Sequence, residues 1–368
     1  MPLRFLTSGE SHGKCLNAII EGIGANFELD FDFINSELKA RQGGLGRGGR
    51  MKIETDRVIF NSGVRFSKTT GAPICIEIQN LDHKNWILPL SVEKIDINSL
   101  SEEEKQILKS KEIERVRPGH ADFAGAIKYN QKDIRNILER SSARETATRV
   151  ALGAICQSIL KNFNIEFTSE VVSLGGETNP ECFEAKVKEA QELGESLGGK
   201  VKITIKNCPV GLGSCMHWDR RLDGRLAGAV MSVPAIKSVE IGLGAKSADK
   251  FGSQVHDEIF LDENERILRH TNNAGGLEGG MTNGEDIIIN AAMKPIPTMK
   301  KPLQSINLNT KEPFLAHFER ADTCAADACG IVVKNMCAIV LLDAFFEKFG
   351  SDSFEEVMKN FKNNAKKL

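Results

Sequence analysis

The sequence predicts a single mixed α and β domain whose strands are antiparallel, not a doubly wound parallel sheet. Several segments alternate apolar and polar residues as half-buried antiparallel strands do, and helix-like and strand-like stretches follow one another without regular βαβ alternation. With 368 residues, 41% hydrophobic and 27% charged side chains, the chain can bury a substantial core. No low-complexity linker and no short-period repeat divides it.

In chain order, LNAIIEGI at 16–23 reads as a strand, INSELKARQ at 34–42 as a helix, and MKIETDRVIF at 51–60 and PICIEIQN at 73–80 as strands. The Ser-, Glu- and Lys-rich stretch 91–114 reads as an exposed helical excursion. ETATRVALGAICQSILKNF at 145–163 is a buried helix, and CFEAKVKEAQELGESL at 182–197 a further one. VKITIKN at 201–207 and EDIIINAAM at 285–293 are strands. A long apolar pattern from about 325 to 349 closes the set, followed by a tail expected to be flexible near 360–368.

The formal net charge of -2 excludes a globally basic nucleic-acid binder, yet twelve of the eighteen arginines fall in the first 150 residues beside glycines and serines. Nine cysteines without a CxxC pair point to reduced thiols, neither a disulfide framework nor a zinc site. The start MPLRFLTSGES lacks the apolar core of a signal peptide and no apolar run is expected to span a membrane, so the expected address is the cytoplasm.

Four motifs carry chemistry. TSGESHGK at 7–14 presents His12 between glycines, either as a solvated turn residue or as a histidine, able to exchange a proton near neutral pH, presented to something small. RQGGLGRGGRM at 41–51 leads into a strand and lacks GK[ST], so it is neither a dinucleotide fingerprint nor a P-loop. It sets Arg41, Arg47 and Arg50 on a pliable backbone suited to gripping oxyanions; the alternative, an RGG-like RNA tail, lacks interleaved aromatics. RVRPGHADF at 115–123 puts Arg117 and His120 on a Pro-Gly turn with Asp122 close behind, a structural turn or a second presented histidine. RSSARETATR at 140–149 satisfies the S-x-x-E capping box with Ser142 as N-cap, flanked by Arg140 and Arg144: an anion site or an ordinary helix start. VPAIKSVEIG, NNAGGLEGGMTNGE, KPIPT and ERADTC add further turns whose number argues for a built pocket.

Taken as an ordered set from about residue 3 to beyond 340, GESHG, RQGGLGRGGRM, RPGHAD, RSSARETA, VPAIK with EIG, AGGLEGGMTNG, KPIPT and ERADTC resemble the chorismate synthase family. The resemblance implies an α+β fold, a β–α–β sandwich with helices between antiparallel sheets, assembled as a homotetramer. It implies a lyase that eliminates phosphate from 5-enolpyruvylshikimate-3-phosphate with reduced FMN and no net redox change. Carried over position by position, it makes His12 the acid facing the leaving phosphate, His120 the residue that assists flavin protonation, and Asp322 the proton relay near the flavin. Arg41, Arg47, Arg50, Arg117 and Arg144 match the substrate contacts. Arg140, Ser141, Ser142, Pro234, Ala235, Gly279, Lys294, Pro295, Ile296, Pro297, Thr298 and Arg320 match the FMN contacts. Arg41 and Arg47 also match positions for NADPH in members that reduce their own flavin; otherwise a separate flavin reductase is the implied partner. No metal is implied. Ser8, Ala321 and Thr323 depart from the family pattern at the edges of these motifs. Two other classes compete: a flavin-free phosphate-ester enzyme, disfavoured by the lack of a metal cluster or activated nucleophile, and an anion- or RNA-binding module.

Overall fold

The computed structural model describes residues 2–48, 54–316 and 322–365. Two four-stranded antiparallel sheets form its outer layers. The first runs Arg4–Ser8, Cys15–Glu21, Ile74–Gln79, Ile59–Ser62 across the sheet; the second runs Ile236–Ile241, Ile287–Met293, Gly199–Lys206, Glu166–Leu174. The alternation sets the register. Leu16, Ala18 and Ile20 pair with Ile78, Ile76 and Ile74, and Ile287, Ile289 and Ala291 pair with Ile205, Ile203 and Val201, so each sheet turns one continuous apolar face inward.

The helices are α1 (Phe31–Gln42), α2 (Glu102–Lys111), α3 (Asp122–Tyr129), α4 (Arg135–Ser141), α5 (Thr146–Leu160), α6 (Phe183–Leu193), α7 (Leu222–Met231), α8 (Ala326–Phe349) and α9 (Phe354–Ala365). Between the sheets, α5 packs on Cys15–Glu21 and Ile74–Gln79, α8 packs on Glu166–Leu174 and Gly199–Lys206, and the two helices pack on each other. A helix with sheet on one side and helix on the other must be apolar nearly all round, which is why α5 and α8 read as unbroken hydrophobic patterns. The expected β–α–β sandwich is the observed one.

Close approach of α5 and α8 depends on Gly153: a Cβ there would stand 2.3 Å from the Asn335 carbonyl oxygen and 2.4 Å from its Cβ. Gly153→Ala, which would stabilise an exposed helix by about 1 kcal/mol, is expected here to cost about 1–3 kcal/mol through overpacking. Urea denaturation gives the sign; an unchanged midpoint would mean the two helices separate freely. A buried network, Lys334 to Glu37 at 2.7 Å, Asn335 to Glu37 at 2.9 Å and Gln157 to Asn335 at 2.7 Å, joins α1, α5 and α8 in the same layer.

The structure departs from the sequence expectations in several places. Of the strand expected at 51–60 only Ile59–Ser62 forms, and 51–53 lie outside the described residues. Residues 54–58 are bound by side chains of α1 in place of a ladder: Gln42 donates to the Glu54 carbonyl at 2.7 Å and accepts from the Asp56 N–H at 3.3 Å, and Asn35 accepts from the Val58 N–H at 3.1 Å. The helix expected at 182–197 stops at Leu193 because Gly194 takes a left-handed cap at φ 70°. The tail is helical through Ala365, with the Phe361 ring 5.2 Å from that of Phe163, while 366–368 lie outside the described residues. One apolar run does reach membrane-spanning length. It is α8, with mean hydropathy 1.9 and 83% of its apolar window buried inside the protein, as its place between two layers requires. Within 91–114 the structure forms α2, which buries none of its residues and whose Ser101 and Glu104 cap each other reciprocally. All nine cysteines are free thiols.

Candidate active site

At the edge of the helical layer lies a cavity of about 450 Å³, bordered by the His12 turn, by the end of α1 and the loop after it, by the loops before α3 and α5, by the KPIPT segment and by the start of α8. His12, Arg41, Arg47, Arg117, His120 and Arg144 give it a cationic wall, and Val233, Met293, Ile296, Ala328 and Val332 an apolar one. Cys329 also lines it, but burial pushes its thiol up to about 12, which makes it packing and not a nucleophile.

The tight turn at Glu10–Gly13 presents His12. Asn80 ties the turn down by donating to the carbonyls of Glu10 at 3.1 Å and Gly13 at 2.7 Å. Arg140 donates to the carbonyls of Thr7 at 2.9 Å and Gly9 at 3.2 Å, so it clamps the approach to this turn and does not line the cavity. The His12 ring stacks on Trp86 with centroids 4.1 Å apart. Its Nδ1 lies 2.9 Å from Glu139 Oε1, which leaves Nε2 for a ligand.

Each described arginine of the site is met by a carboxylate, as buried guanidinium groups require. Asp56 accepts from Arg144 at 2.6 Å and Arg41 at 3.4 Å; Asn80 Oδ1, at 2.9 Å, and Thr146 Oγ1, at 3.0 Å, take further donors of the two. Burial, with Arg144 and Arg47 nearby and against the pull of Asp56, brings Arg41 down to about 10, still charged at neutral pH. Arg47 pairs with Asp322 at 2.6 Å, and the Gly48 N–H donates to the same carboxylate at 2.6 Å.

Arg117 donates to Asp122 from Nε at 2.8 Å and Nη2 at 3.0 Å, and to Thr298 Oγ1 at 3.0 Å. His120 Nδ1 lies 2.5 Å from Asp122 Oδ1, so Asp122 orients both side chains. Burial alone would raise the Asp122 carboxyl, but hydrogen bonds from His120 and Arg117 hold it well below the usual carboxylate range. That stabilisation is present above the ordinary Asp range and is lost only as pH falls through the lowered value, in strong acid.

The N-cap expectation holds in part. Ser142 is extended and its Oγ accepts from the Arg144 N–H at 3.3 Å, but it caps the tight turn Ala143–Glu145 that runs into α5. Glu145 does not complete the box; its carboxylate pairs with Arg149 at 2.8 Å. Arg144 is buried against Asp56, which places it inside the site.

Ser141, Ser142, Pro234, Ala235, Lys294, Ile296, Pro297 and Thr298 line the cavity together with Asp322. Ala235 is held at φ 73°, a conformation that costs a non-glycine residue energy and is stored where Lys294 N–H donates to its carbonyl at 2.9 Å. The Lys294 ammonium donates to the Gly119 carbonyl, joining KPIPT to the His120 turn. Pro295 and Gly279 do not line this cavity in the single chain; Gly279 forms the bend between Leu277–Glu278 and Met281–Thr282. Arg50 and Arg320 lie outside the described residues. The sequence reading missed Asp56, Asn80, Trp86 and Glu139 as site residues. A count of buried-arginine partners would have called for such acids without saying which.

A sandwich whose cavity sets four arginines and two histidines against an apolar wall defines an enzyme for a small polyanionic ligand. A family model described as chorismate synthase matches residues 3–346. Chorismate synthase of Thermoanaerobacter pseudethanolicus is 52% identical over 359 residues, covering 98% of this chain and 97% of the relative. That of Aquifex aeolicus is 49% identical over 395 residues, with 98% and 97% covered. A solved structure described as "Crystal Structure of Chorismate Synthase" shares 40% identity at a TM-score of 0.77, covering 100% of this chain and 98% of that one. The chain belongs to the chorismate synthase family.

Proposed function

We infer that this protein is a carbon-oxygen lyase (EC 4.2.3.5) that converts 5-enolpyruvylshikimate-3-phosphate to chorismate and phosphate by anti 1,4-elimination, the last common step of aromatic amino-acid biosynthesis through the shikimate pathway. One observation carries the reading beyond family membership: motifs scattered from residue 11 to residue 332 converge on one cavity with cationic and apolar walls. The substrate bears a phosphate and two carboxylates, and Arg41, Arg47, Arg117 and Arg144 supply the matching charge, with Arg50 as a further contact on sequence grounds. In this reading His12 holds a proton at the oxygen of the departing phosphate as the C–O bond breaks, where a positive ring offsets the developing charge.

The reaction calls for reduced FMN, and the cavity fits a flat tricyclic ring. Its volume lies within the roughly 300–1,000 Å³ of ligand pockets, and Val233, Ala328, Val332 and Met293 offer an apolar bed beside the strained Pro234–Ala235 turn. Ser141, Ser142, Lys294 and Thr298 would hold the polar edges, with Arg320, Pro297 and Ile296. Bound reduced FMN supplies transient electron density to a substrate whose C6 hydrogen is not acidic. His120, oriented by Asp122, and Asp322, held by Arg47, are the residues proposed to manage protons on the flavin side. NADPH as reductant through Arg41 and Arg47, a homotetrameric assembly and a cytoplasmic location belong to the same proposal.

The test is anaerobic turnover of 5-enolpyruvylshikimate-3-phosphate, following phosphate and chorismate together, with chemically reduced FMN and then with oxidised FMN plus NADPH. Chorismate in both arms establishes a lyase that reduces its own flavin. Chorismate only with prereduced FMN establishes the lyase and a separate reductase, and none in either arm overturns the reading.

A further inference from the structure

The His12 ring has two nitrogens, and the fold commits one of them. Glu139 on α4 turns both carboxylate oxygens to this residue, sharing Oε1 with Arg135 at 3.5 Å: Oε2 accepts the His12 backbone N–H at 2.8 Å, and Oε1 and Oε2 lie 2.9 and 3.1 Å from Nδ1. The Glu139 backbone carbonyl accepts the Ser11 N–H at 3.0 Å, so one residue fixes both the loop and the ring it carries. The Glu139 side chain is 1% exposed. A buried carboxylate in that position needs a positive partner, and of the two cations within reach Arg135 stands farther off, at 3.5 Å. Trp86 closes the remaining freedom of the ring by stacking at 4.1 Å.

We propose that Glu139 is the positioning residue of the proton donor: it fixes the His12 ring with Nδ1 turned away from the ligand and supports the positive ring, so that Nε2–H is what the leaving phosphate meets. This rests on the lyase reading above. Glu139 does not line the cavity and acts through His12. The other charged groups about the pair are Arg135 on α4, Lys111 at the end of α2 with its ammonium 4.2 Å from the Trp86 ring, Asp82 and His83 on the turn Leu81–Asn85, and Glu10 in the His12 loop. His83 Nδ1 lies 3.0 Å from the His12 carbonyl, and Asp82 accepts from Trp86 Nε1 at 3.2 Å; both hold the backbone or the tryptophan and leave the ring's Nδ1 to Glu139.

The experiment uses the full chain with prereduced FMN and compares wild type, Glu139→Gln, Glu139→Ala, His12→Ala and the double variants. Misplacing the ring in Glu139→Ala is expected to lower kcat by about 100-fold with KM for the phosphate substrate held. Glu139→Gln keeps an acceptor but not the charge. It recovers part of the kcat lost in Glu139→Ala, because the ring keeps its hydrogen-bond acceptor. In a His12→Ala background neither substitution at Glu139 slows turnover further, as two residues acting as one unit require. In the unliganded wild type, the imidazole ¹H–¹⁵N spectrum shows His12 Nδ1 protonated, and that proton signal is lost in Glu139→Ala. Wild-type kcat in Glu139→Gln, or losses that multiply with His12→Ala, would overturn the proposal; should Glu139→Ala not fold, Glu139→Gln and its double variant decide alone. An inactive wild type would instead count against the lyase reading, with the apoprotein spectrum still deciding whether Glu139 sets the ring.

Discussion

Asp56→Ala is expected to cost about 3–5 kcal/mol of stability, the toll of leaving buried guanidinium groups without their counter-charge. Asp56 has no exposed side-chain surface and accepts from Arg144 at 2.6 Å and Arg41 at 3.4 Å; the next carboxylate, Glu54, stands 3.9 Å from Arg144. The neutral acceptors that remain, Asn80, Thr146 and the carbonyls of Gln79 and Ala143, satisfy geometry but not charge. Asp56→Asn keeps one acceptor oxygen and loses less. Both variants carry one more net positive charge beside the cavity, so a polyanionic ligand replaces the missing charge, and saturating 5-enolpyruvylshikimate-3-phosphate raises Tm more in the variants than in wild type. Urea denaturation measures the first effect and thermal denaturation with and without substrate the second. A wild-type midpoint in Asp56→Ala would show that water already neutralises these arginines, and an equal ligand shift would separate Asp56 from substrate binding.

That acid illustrates where the sequence stops being legible. Alternating Ile, Leu and Val announce Cys15–Glu21, Ile74–Gln79, Gly199–Lys206 and Ile287–Met293, because period-two burial is local and each strand reports it alone. Likewise α5 and α8 are visible as long apolar patterns. Which sheet each faces is not, since a helix buried all round carries no direction, and the layering followed only from resemblance to a known family. The cationic wall was legible because arginines cluster beside glycines and turn formers. Its acidic partners were not, for the pairs that matter join residues 88 apart in Arg144–Asp56 and 127 apart in His12–Glu139, and nothing in the neighbourhood of either acid marks it.

The glycines of RQGGLGRGGRM carry a second lesson. Pliability was the reason the sequence offered, whereas the structure shows close packing on the start of α8. Gly44 is at φ +104°, where a Cβ would stand 2.5 Å from the Asp327 Cβ, and Gly46 at φ +74° would bring one to 2.9 Å from the Cys324 N–H nitrogen. These glycines let the arginine loop lie against the helix that supplies the apolar wall, which is how cationic and apolar walls come to share one cavity.

His12→Ala is expected to lower kcat by roughly 10²- to 10⁴-fold, the usual worth of a general acid, with KM for the substrate little changed. In the proposed reading the substrate's charges are held by arginines on other loops, so ground-state binding does not need the imidazole, whereas the proton at the departing phosphate does. The fold should survive, because Glu139 still accepts the residue 12 N–H at 2.8 Å and keeps Arg135 at 3.5 Å. Trp86 loses its stacking partner, and its fluorescence reports whether the loop stays in place. Single-turnover rates with prereduced FMN separate chemistry from product release. A fall in kcat with fluorescence and Tm unchanged assigns the loss to the missing proton donor. A KM that rises while kcat holds would make His12 a binding residue, and the acid would then have to be sought elsewhere on the cationic wall, where His120 is already committed to Asp122.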